Sequence, residues 1–455
     1  MDRWMGAALD YIPRWIEFQL RSFELPGCVV AIGHRGRVVG EHAFGFADQP
    51  RGIELTPRHR FRVASHSKSF TAAAIMKLRE QGKLKLDDRA GEYIDHLHPR
   101  VAETTIAQLL SHSAGIVRDG FDSGYWQGRK PFASADEIRA DLEAPTAIDS
   151  NTRFKYSNHG YALAGFVIEA VAGESYSSFV KREIVDAAGL EETRPDVPIA
   201  RGTPLARGHS SKVPLGRRVI FPGDQSTRAL APATGFVSTA ADLVRYFGQL
   251  DPKARASVLS AASRREMVRR QWRNPHSSFE IHYGLGIISG KLGDWEWFGH
   301  AGGFQGYITR TCVLPAAGLT VSVLTNSVDG LAHPWLDGIM HILQRFAKDG
   351  APQRRVRDWT GRWWSTWGAV DLVPVGGKVV VAVPALFNPF MDATELEIGK
   401  RDRGRIALAG GFLAHGEQVR RVRSKGGRVA ELWLAGNKLV SEAKLIRELE
   451  GRYGR

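Results

Sequence analysis

The spacing of the apolar residues changes after Lys348-Asp349-Gly350, and this change limits the possible folds more than any other feature. Before it, runs with helical spacing are mixed with strand-like runs; after it, short alternating strands with Gly turns continue to the end. A chain of 455 residues is also too long for one ordinary core. We therefore predict one domain over residues 1–350 and a small antiparallel β-barrel over residues 351–455.

Residues 1–350 predict an α/β architecture. Helical spacing over Trp4–Leu20 indicates an amphipathic helix, and two strands follow it at Cys28–Ile32 and Val38–Phe44. Residues 88–240 carry few strand signals and predict a helical subdomain. Strand character returns in four later segments: Tyr283–Ile288, Trp295–Phe298, Gln305–Leu314 and Leu319–Thr325. We expect the early and late strands to share one mixed or antiparallel sheet flanked by helices.

Composition and charge narrow the range of partners. The chain is 43% hydrophobic and 24% charged, as is typical of a soluble globular protein. Its net charge is +14, but the arginines are spread along the chain without a recognised nucleic-acid motif, which favours a solvated basic surface over a nucleic-acid partner. No uninterrupted apolar signal region or run of roughly 20 apolar residues occurs, so we expect a cytoplasmic protein without a membrane partner.

The cysteines and histidines do not predict a metal site. Cys28 and Cys312 each lie in an apolar β-like run, which indicates free buried thiols. His96, His98 and His112 come nearest to a ligand set, but no further well-spaced Cys, His or carboxylate joins them. We expect neither a metal nor another cofactor.

The sequence Ser65-His66-Ser67-Lys68 carries a potential nucleophile and its base. A serine hydroxyl becomes a good nucleophile only when a base removes its proton. One helical turn places residues i and i+3 on the same face, so the Lys68 amine can lie beside the Ser65 hydroxyl. Burial would lower the pKa of that lysine and allow its neutral form to act as the base.

The same spacing occurs at Ser178–Lys181 and Ser441–Lys444, so context must separate the three pairs. Ser65 follows the alternating sequence Phe61–Ala64 and opens an apolar helix, which predicts a buried neighbourhood. The other two pairs lie in charged segments that we expect to face water. Only the pair at Ser65 is therefore predicted to be catalytic.

Two further elements carry chemistry. Tyr156-Ser157-Asn158 offers a tyrosine, which could lose its proton more easily near a lysine, and an amide that could orient a substrate. The segment Gly299–Phe304 precedes a β-like run, and its glycines let a backbone N–H approach a substrate and stabilise an oxyanion. Each element is weak evidence by itself.

Taken in order along the chain, these elements resemble the serine β-lactamase and DD-peptidase family. Three supporting phrases match as well: Leu109–Gly115, Gly235–Ala240 and Tyr283–Gly286. The resemblance covers about the first 350 residues and implies a five-stranded antiparallel sheet flanked by helices, with an all-helical subdomain. The barrel that follows is expected to be lipocalin-like.

The resemblance also implies roles for individual residues. Ser65 would be the nucleophile, Lys68 its base and Tyr156 a catalytic tyrosine. Backbone N–H groups of Ser65 and Gly303 would form the oxyanion hole. The complete set of implied catalytic and substrate-binding residues is Ser65, Lys68, Tyr156, His300, Asn158, Gly302 and Gly303.

The third element departs from the β-lactamase pattern, because His300-Ala301-Gly302 stands where Lys-Thr-Gly is usual. His-x-Gly is typical of the D-aminopeptidase and D-amino-acid amidase branch, which cleaves short substrates with an N-terminal D-residue. The resemblance therefore implies hydrolysis of an amide or short peptide through an acyl-enzyme. Three alternative functions stay open: a carboxylesterase, a weak DD-peptidase or β-lactamase, and an inactive binding module. A homo-oligomeric state also stays open.

Overall fold

The computed structural model describes residues 2–275, 277–410 and 414–454. Within these ranges the helices are α1 (Arg3–Ser22), α2 (Ser67–Glu80), α3 (Pro99–Ala102), α4 (Ile106–Leu110), α5 (Ala135–Leu142), α6 (Asn158–Ala172), α7 (Tyr176–Val180), α8 (Ala231–Thr234), α9 (Ala240–Gln249), α10 (Ala261–Val268), α11 (Ala332–Asp349) and α12 (Glu442–Tyr453). Short 3₁₀ helices lie at Ala64–His66, Ala90–Glu92, Gly124–Gln127 and Arg228–Leu230, and a π-helix follows α7 at Lys181–Asp186.

The strands fall into an early group, a late group and a carboxy-terminal group. The early and middle strands are β1 (Gly27–His34), β2 (Arg37–Asp48), β3 (Ile53–Glu54), β4 (Phe61–Arg62), β5 (Gly208–His209), β6 (Ile220–Phe221) and β7 (Val237–Ser238). The late strands are β8 (Trp272–Arg273), β9 (Ile281–Tyr283), β10 (Ile288–Leu292), β11 (Trp295–Phe304), β12 (Tyr307–Leu314) and β13 (Leu319–Thr325). The carboxy-terminal strands are β14 (Gly361–Ser365), β15 (Gly368–Val375), β16 (Lys378–Ala382), β17 (Thr394–Ile398), β18 (Arg403–Leu408), β19 (Gln418–Arg423), β20 (Val429–Leu434) and β21 (Asn437–Leu439).

The chain divides into two compact units. The first is Leu25–Leu336, and the second is Met1–Glu24 together with Asp337–Arg455. The second unit therefore contains both ends of the chain. Residues 337–350, which the sequence groups with the first domain, pack within this second unit. A domain boundary at residue 350 stays a prediction, as does a separate helical subdomain at 88–240.

One antiparallel sheet forms the centre of the unit Leu25–Leu336. Its strands run in the order β3-β2-β1-β13-β12-β11-β10-β9-β8. Strand β1 lies between β2 and β13, and its residues are buried up to His34, as an apolar run in a covered sheet should be. The predicted antiparallel sheet is confirmed; it has nine strands instead of five because short strands, such as β3 and β8, extend its edges.

Helices cover this sheet and bring the chemistry-bearing segments together. Helix α9 packs on β1 and β13, while α2 packs against α6 and α8. Helix α2 is buried along nearly its whole length, in agreement with its apolar sequence. Helices α2, α6 and α8 follow Ser65, Tyr156 and Thr227 in the sequence. Because these helices pack against one another, three distant parts of the sequence converge at the amino-terminal end of α2.

The segment Tyr283–Ile288 is not the continuous strand that its sequence predicts. Strand β9 ends at Tyr283 and β10 begins at Ile288, and the residues between them form a turn. Gly286 has a φ of +67°, a conformation that glycine adopts without strain. A Cβ there would lie 2.7 Å from the carbonyl oxygen of Lys68, so this turn needs glycine to pack against α2.

In the other unit, β14 to β21 form an eight-stranded antiparallel sheet in sequential order. Two backbone hydrogen bonds of 2.8 and 2.9 Å join Trp364 to Val440, so the first strand meets the chain just after the last. The predicted carboxy-terminal β-barrel is thereby confirmed as a nearly closed barrel. Trp359 and Trp363 fill its core, whereas Trp367 is 95% exposed in the turn between β14 and β15.

Helix α1 packs within this second unit. The Tyr11 hydroxyl donates to Oδ2 of Asp371, 3.1 Å away, and Arg362 donates to both oxygens of the same carboxylate at 2.8 and 2.9 Å. Asp371 is completely buried, so these hydrogen bonds compensate for the desolvation of its charge. The amphipathic helix predicted at the start of the chain is therefore fixed to the barrel by a polar contact as well as by apolar packing.

Candidate active site

Ser65 lies in a strained 3₁₀ turn immediately before α2. The preceding residue, Ala64, is buried and has a φ of +49°, which is unusual for a residue with a side chain. Two hydrogen bonds fix this turn: Val63 N–H donates to the carbonyl of Phe236 at 3.0 Å, and Ser67 Oγ donates to the carbonyl of Ala64 at 2.6 Å. The surrounding structure thus holds the Ser65 hydroxyl at a defined position.

Lys68 lies one helical turn after Ser65, as predicted. Its Nζ atom is 3.2 Å from Ser65 Oγ, 2.7 Å from Asn158 Oδ1 and 2.8 Å from the carbonyl oxygen of Ala233. The side chain has no solvent exposure. Burial lowers the pKa of Lys68 well below its ordinary value of 10.5, although the negative charge of Asp119 opposes this effect. The neutral amine that a base requires is therefore favoured.

Tyr156 contacts the same serine from another direction. Its hydroxyl donates to Ser65 Oγ at 2.7 Å, and its ring packs against His112 with 4.2 Å between centroids. The sequence predicted easier proton loss near a lysine, but burial raises the pKa of Tyr156 above its ordinary value of 10.0. The phenol consequently stays protonated at neutral pH and can act as a hydrogen-bond donor.

Asn158 begins helix α6 and joins the lysine to an acidic side chain. Its Oδ1 atom accepts from Lys68, while its Nδ2 atom donates to Oδ1 of Asp119 at 2.6 Å. Ser157 caps the helix by accepting from Gly160 N–H at 2.8 Å. This cap sets the direction of the helix and thereby the position of the Asn158 amide.

The two glycines predicted at the strand edge serve different purposes. A Cβ on Gly302 would lie 2.2 Å from the carbonyl oxygen of Val63, so the absence of a side chain lets β11 approach the Ser65 turn. A Cβ on Gly303 would meet only Ile308, at 3.7 Å. Gly303 lines the same cavity as Ser65. Their pairing in an oxyanion hole stays a prediction.

The hydrogen bonds of His300 are made with Tyr283 and Ala301. It is 2% exposed; Nε2 is 3.0 Å from the Tyr283 hydroxyl, and Nδ1 is 2.7 Å from the carbonyl oxygen of Ala301. Burial lowers the pKa of His300 well below 6.5. Among the described residues it makes no hydrogen bond with Ser65 or Lys68, so a catalytic role for this residue stays a prediction.

A cavity of about 410 Å³ opens onto Ser65. Its lining residues are Ser65, Arg118, Trp126, Tyr156, Asn158 and Gly303. Sequence reasoning missed Arg118 and Trp126, together with Asp119 and the Ala233 carbonyl. Arg118 and Trp126 follow the phrase Leu109–Gly115 closely in the sequence, and this proximity was the only available signal for them.

Within the described ranges, no three His, Cys, Asp or Glu side chains come together in a group that could hold a metal ion. Every helix in the part of the chain that the structure describes is too short or too polar to span a lipid bilayer.

Known sequences relate this chain to one family. Residues 14–337 match the family model Beta-lactamase. Over 173 residues, the chain is 29% identical to Protein flp of Staphylococcus aureus (strain N315). The matched region covers 37% of this chain and 34% of that protein. The chain thus spans about a third of the length of the first curated relatives that it matches.

Solved structures share the fold as well, and two of them illustrate this likeness. The octameric penicillin-binding protein homologue from Pyrococcus abyssi has a TM-score of 0.67 and 24% identity, over 95% of this chain and 99% of the other. D-amino acid amidase from Ochrobactrum anthropi SV3, complexed with D-phenylalanine, has a TM-score of 0.63 and 21% identity, over 75% and 99%. These likenesses confirm the predicted fold. Since the family model matches well over half of the chain, this protein belongs to the Beta-lactamase family, a family of serine hydrolases.

Proposed function

We propose that this protein hydrolyses an amide or short peptide with an N-terminal D-residue, through an acyl-enzyme on Ser65. One observation carries the proposal: Ser65 Oγ lies 3.2 Å from the Lys68 amine and 2.7 Å from the Tyr156 hydroxyl, at the wall of an open cavity. A nucleophile, a base and a proton donor are thus within reach of one substrate carbonyl.

The surroundings of Lys68 direct its lone pair. A neutral amine has two N–H donors, and the Asn158 Oδ1 atom and the Ala233 carbonyl can only accept. The remaining lone pair is then available to the Ser65 hydroxyl. As Oγ attacks the substrate carbonyl carbon, the Ser65 proton passes to the Lys68 nitrogen, and the ammonium that forms keeps both acceptors.

Collapse of the tetrahedral intermediate requires a proton on the leaving nitrogen. Tyr156 supplies this proton, and the Lys68 ammonium returns one to Tyr156, so the C–N bond breaks and an ester with Ser65 remains. Water then attacks the ester while Lys68 accepts its proton, and Ser65 Oγ is protonated as the acid product leaves. Backbone N–H groups of Ser65 and Gly303 stabilise the oxyanion in both steps; one such donor is worth about 3 kcal/mol.

The choice of substrate rests on what surrounds the nucleophile. The Lys-Thr-Gly sequence that recognises the β-lactam carboxylate is absent, and His300 in its place is buried. The 410 Å³ cavity suits a short substrate. The fold is shared with D-amino acid amidase, which supports a D-aminoacyl substrate, and with an octameric homologue, which supports a homo-oligomer.

A substrate panel tests the proposal. D- and L-alanine p-nitroanilide, p-nitrophenyl butyrate and a chromogenic cephalosporin are compared, with the Ser65→Ala variant as the control for background hydrolysis. We expect kcat/KM for the D-anilide to exceed that for the L-anilide by at least about tenfold, in the range that differential contacts in one pocket supply. Fast ester turnover without anilide cleavage would instead identify a carboxylesterase, and cephalosporin turnover alone a β-lactamase.

A further inference from the structure

Asp119 is the charged group behind the Asn158 amide. Its Oδ1 atom accepts from Asn158 Nδ2 at 2.6 Å and from Trp126 Nε1 at 3.0 Å. Its Oδ2 atom lies 3.0 Å from Nε of Arg118. With 14% of its side chain exposed, this carboxylate is directed at three donors within the wall of the active site.

The backbone around Asp119 is fixed to the same helix end. The carbonyl of Arg118 accepts from the N–H groups of Asn158 and His159 at 2.8 and 3.2 Å. The Tyr125 hydroxyl donates to the carbonyl of Asp119 at 2.8 Å. The position of the carboxylate relative to the Asn158 amide is therefore set by main-chain contacts as well as by its own hydrogen bonds.

An asparagine amide has an acceptor end and a donor end, and the two ends have opposite effects on a neighbouring base. With Oδ1 towards Lys68, as in the structure, the amide takes one N–H of the neutral amine. With Nδ2 towards Lys68, it would donate to the lone pair of the amine, which would then no longer be available to Ser65. The orientation of Asn158 consequently decides whether Lys68 can act as a base.

We propose that Asp119 is a positioning residue that fixes the orientation of the Asn158 amide and so reserves the Lys68 lone pair for Ser65. An ionised carboxylate offers only acceptors, so the nitrogen of Asn158 must face it and the oxygen must face Lys68. Asp119 acts through Asn158 and does not touch the reacting atoms. The inference rests on the proposed serine–lysine chemistry but does not depend on which acyl substrate is used.

The variant Asp119→Asn tests this role, because it keeps the shape of the side chain but allows it to donate as well as accept. We expect the plateau that kcat reaches at high pH to fall about 10- to 100-fold, with little change in KM. This loss is a part of the rate enhancement that a general base contributes. Asp119→Glu should restore most of the rate. The matched control is Asp122→Asn, in which a 66% exposed carboxylate of the same loop loses its charge, and its kcat should be unchanged.

A double-mutant cycle with Asn158→Ala separates positioning from general effects on structure. Without the amide, Asp119 has nothing to orient, so Asp119→Asn should change kcat less than about twofold in that background. An equal loss in both backgrounds, or an unchanged plateau in Asp119→Asn alone, would overturn the inference. Equilibrium unfolding of each variant verifies that the folded state is being compared.

The pH profile distinguishes positioning from the charge of Asp119. Its negative charge raises the pKa of Lys68, so removing the charge alone would move the acid limb to lower pH and leave the plateau unchanged. Positioning requires a lower plateau. Labelling of Ser65 by a fluorophosphonate probe is measured in parallel: loss of labelling in Asp119→Asn supports the inference even where the D-anilide is not a substrate, and unchanged labelling contradicts it.

Discussion

Lys68 must be uncharged before it can take a proton from Ser65, and its environment opposes the charged form. The amine is completely buried, and its three neighbours at 2.7 to 3.2 Å are neutral oxygens. Desolvation of the ammonium therefore outweighs the attraction of Asp119. In the proposed mechanism, Ser65 is activated because water is absent around Lys68. A Ser-x-x-Lys pair at the surface would not have this dry environment.

The pH dependence of kcat/KM should report this environment. Because the lowered pKa of Lys68 lies well below 10.5, activity should rise with pH through that lowered pKa and then remain constant. The raised pKa of Tyr156 places the alkaline limb above pH 10. An acid limb at the ordinary lysine pKa would contradict this account.

The variant Lys68→Arg tests the same requirement for an uncharged base. Its side chain stays charged, so activity should fall by at least about 10²-fold at every pH.

Sequence could predict the residues that neighbour each other along a helix, but not those that meet through the fold. The pair Ser65 and Lys68 was accessible because one helical turn fixes the i, i+3 contact. The Ala233 carbonyl and the Asp119 carboxylate were not accessible, because they reach Lys68 and Asn158 from separate segments. The positive φ of Ala64 also leaves no trace in residue types, since alanine does not favour it.

The elements around the active site depend on close backbone approach. Strand β11 runs beside the 3₁₀ turn of Ser65, and Gly302 leaves no room for a Cβ next to the Val63 carbonyl. The turn between β9 and β10 packs against the backbone of α2 through Gly286, and Ser69 Oγ donates to the carbonyl of that glycine at 2.7 Å. The Gly-rich phrases of the sequence thus mark where strands approach helix α2.

Gly302 and Gly303 form a matched pair for testing this packing. Gly302→Ala places a Cβ 2.2 Å from the Val63 carbonyl, so strand and turn must separate. We expect the free energy of unfolding to fall by about 1–3 kcal/mol, as for other overpacked sites, and kcat/KM to fall at least about tenfold. Gly303→Ala meets only Ile308 at 3.7 Å and should change the unfolding free energy by less than about 1 kcal/mol. Equal effects in denaturant unfolding would refute the packing argument.

Element prediction succeeded where periodicity was long and failed where short segments meet. The helix at Arg3–Ser22 and the strand at Leu319–Thr325 follow the predicted segments closely. The segment Tyr283–Ile288 reads as one apolar run, but packing of Gly286 against α2 divides it. For the barrel, the sequence predicts that short alternating strands continue to the end. The bounds of β14 to β21 depend on pairing between neighbouring strands as well as on alternation.

At the scale of the molecule, the two ends of the chain belong to one unit. Met1–Glu24 and Asp337–Arg455 pack together, while Ser65, Lys68 and Tyr156 lie in Leu25–Leu336. No periodicity within either terminal segment reveals this pairing, since it depends on long-range contacts such as that of Tyr11 with Asp371. The net charge of +14 has no counterpart in a recognised nucleic-acid motif, so we attribute it to the solvated surface.

The central claim is that Ser65 is acylated during turnover. It is tested most directly by acid-quenching the protein in the steady state with D-alanine p-nitrophenyl ester, followed by proteolysis and mass spectrometry. We predict an added alanyl group on the peptide containing Ser65, absent from Ser65→Ala and from protein quenched before substrate is added. Turnover by Ser65→Ala at the wild-type rate, or an acyl group on a different residue with Ser65 unmodified, would contradict the account.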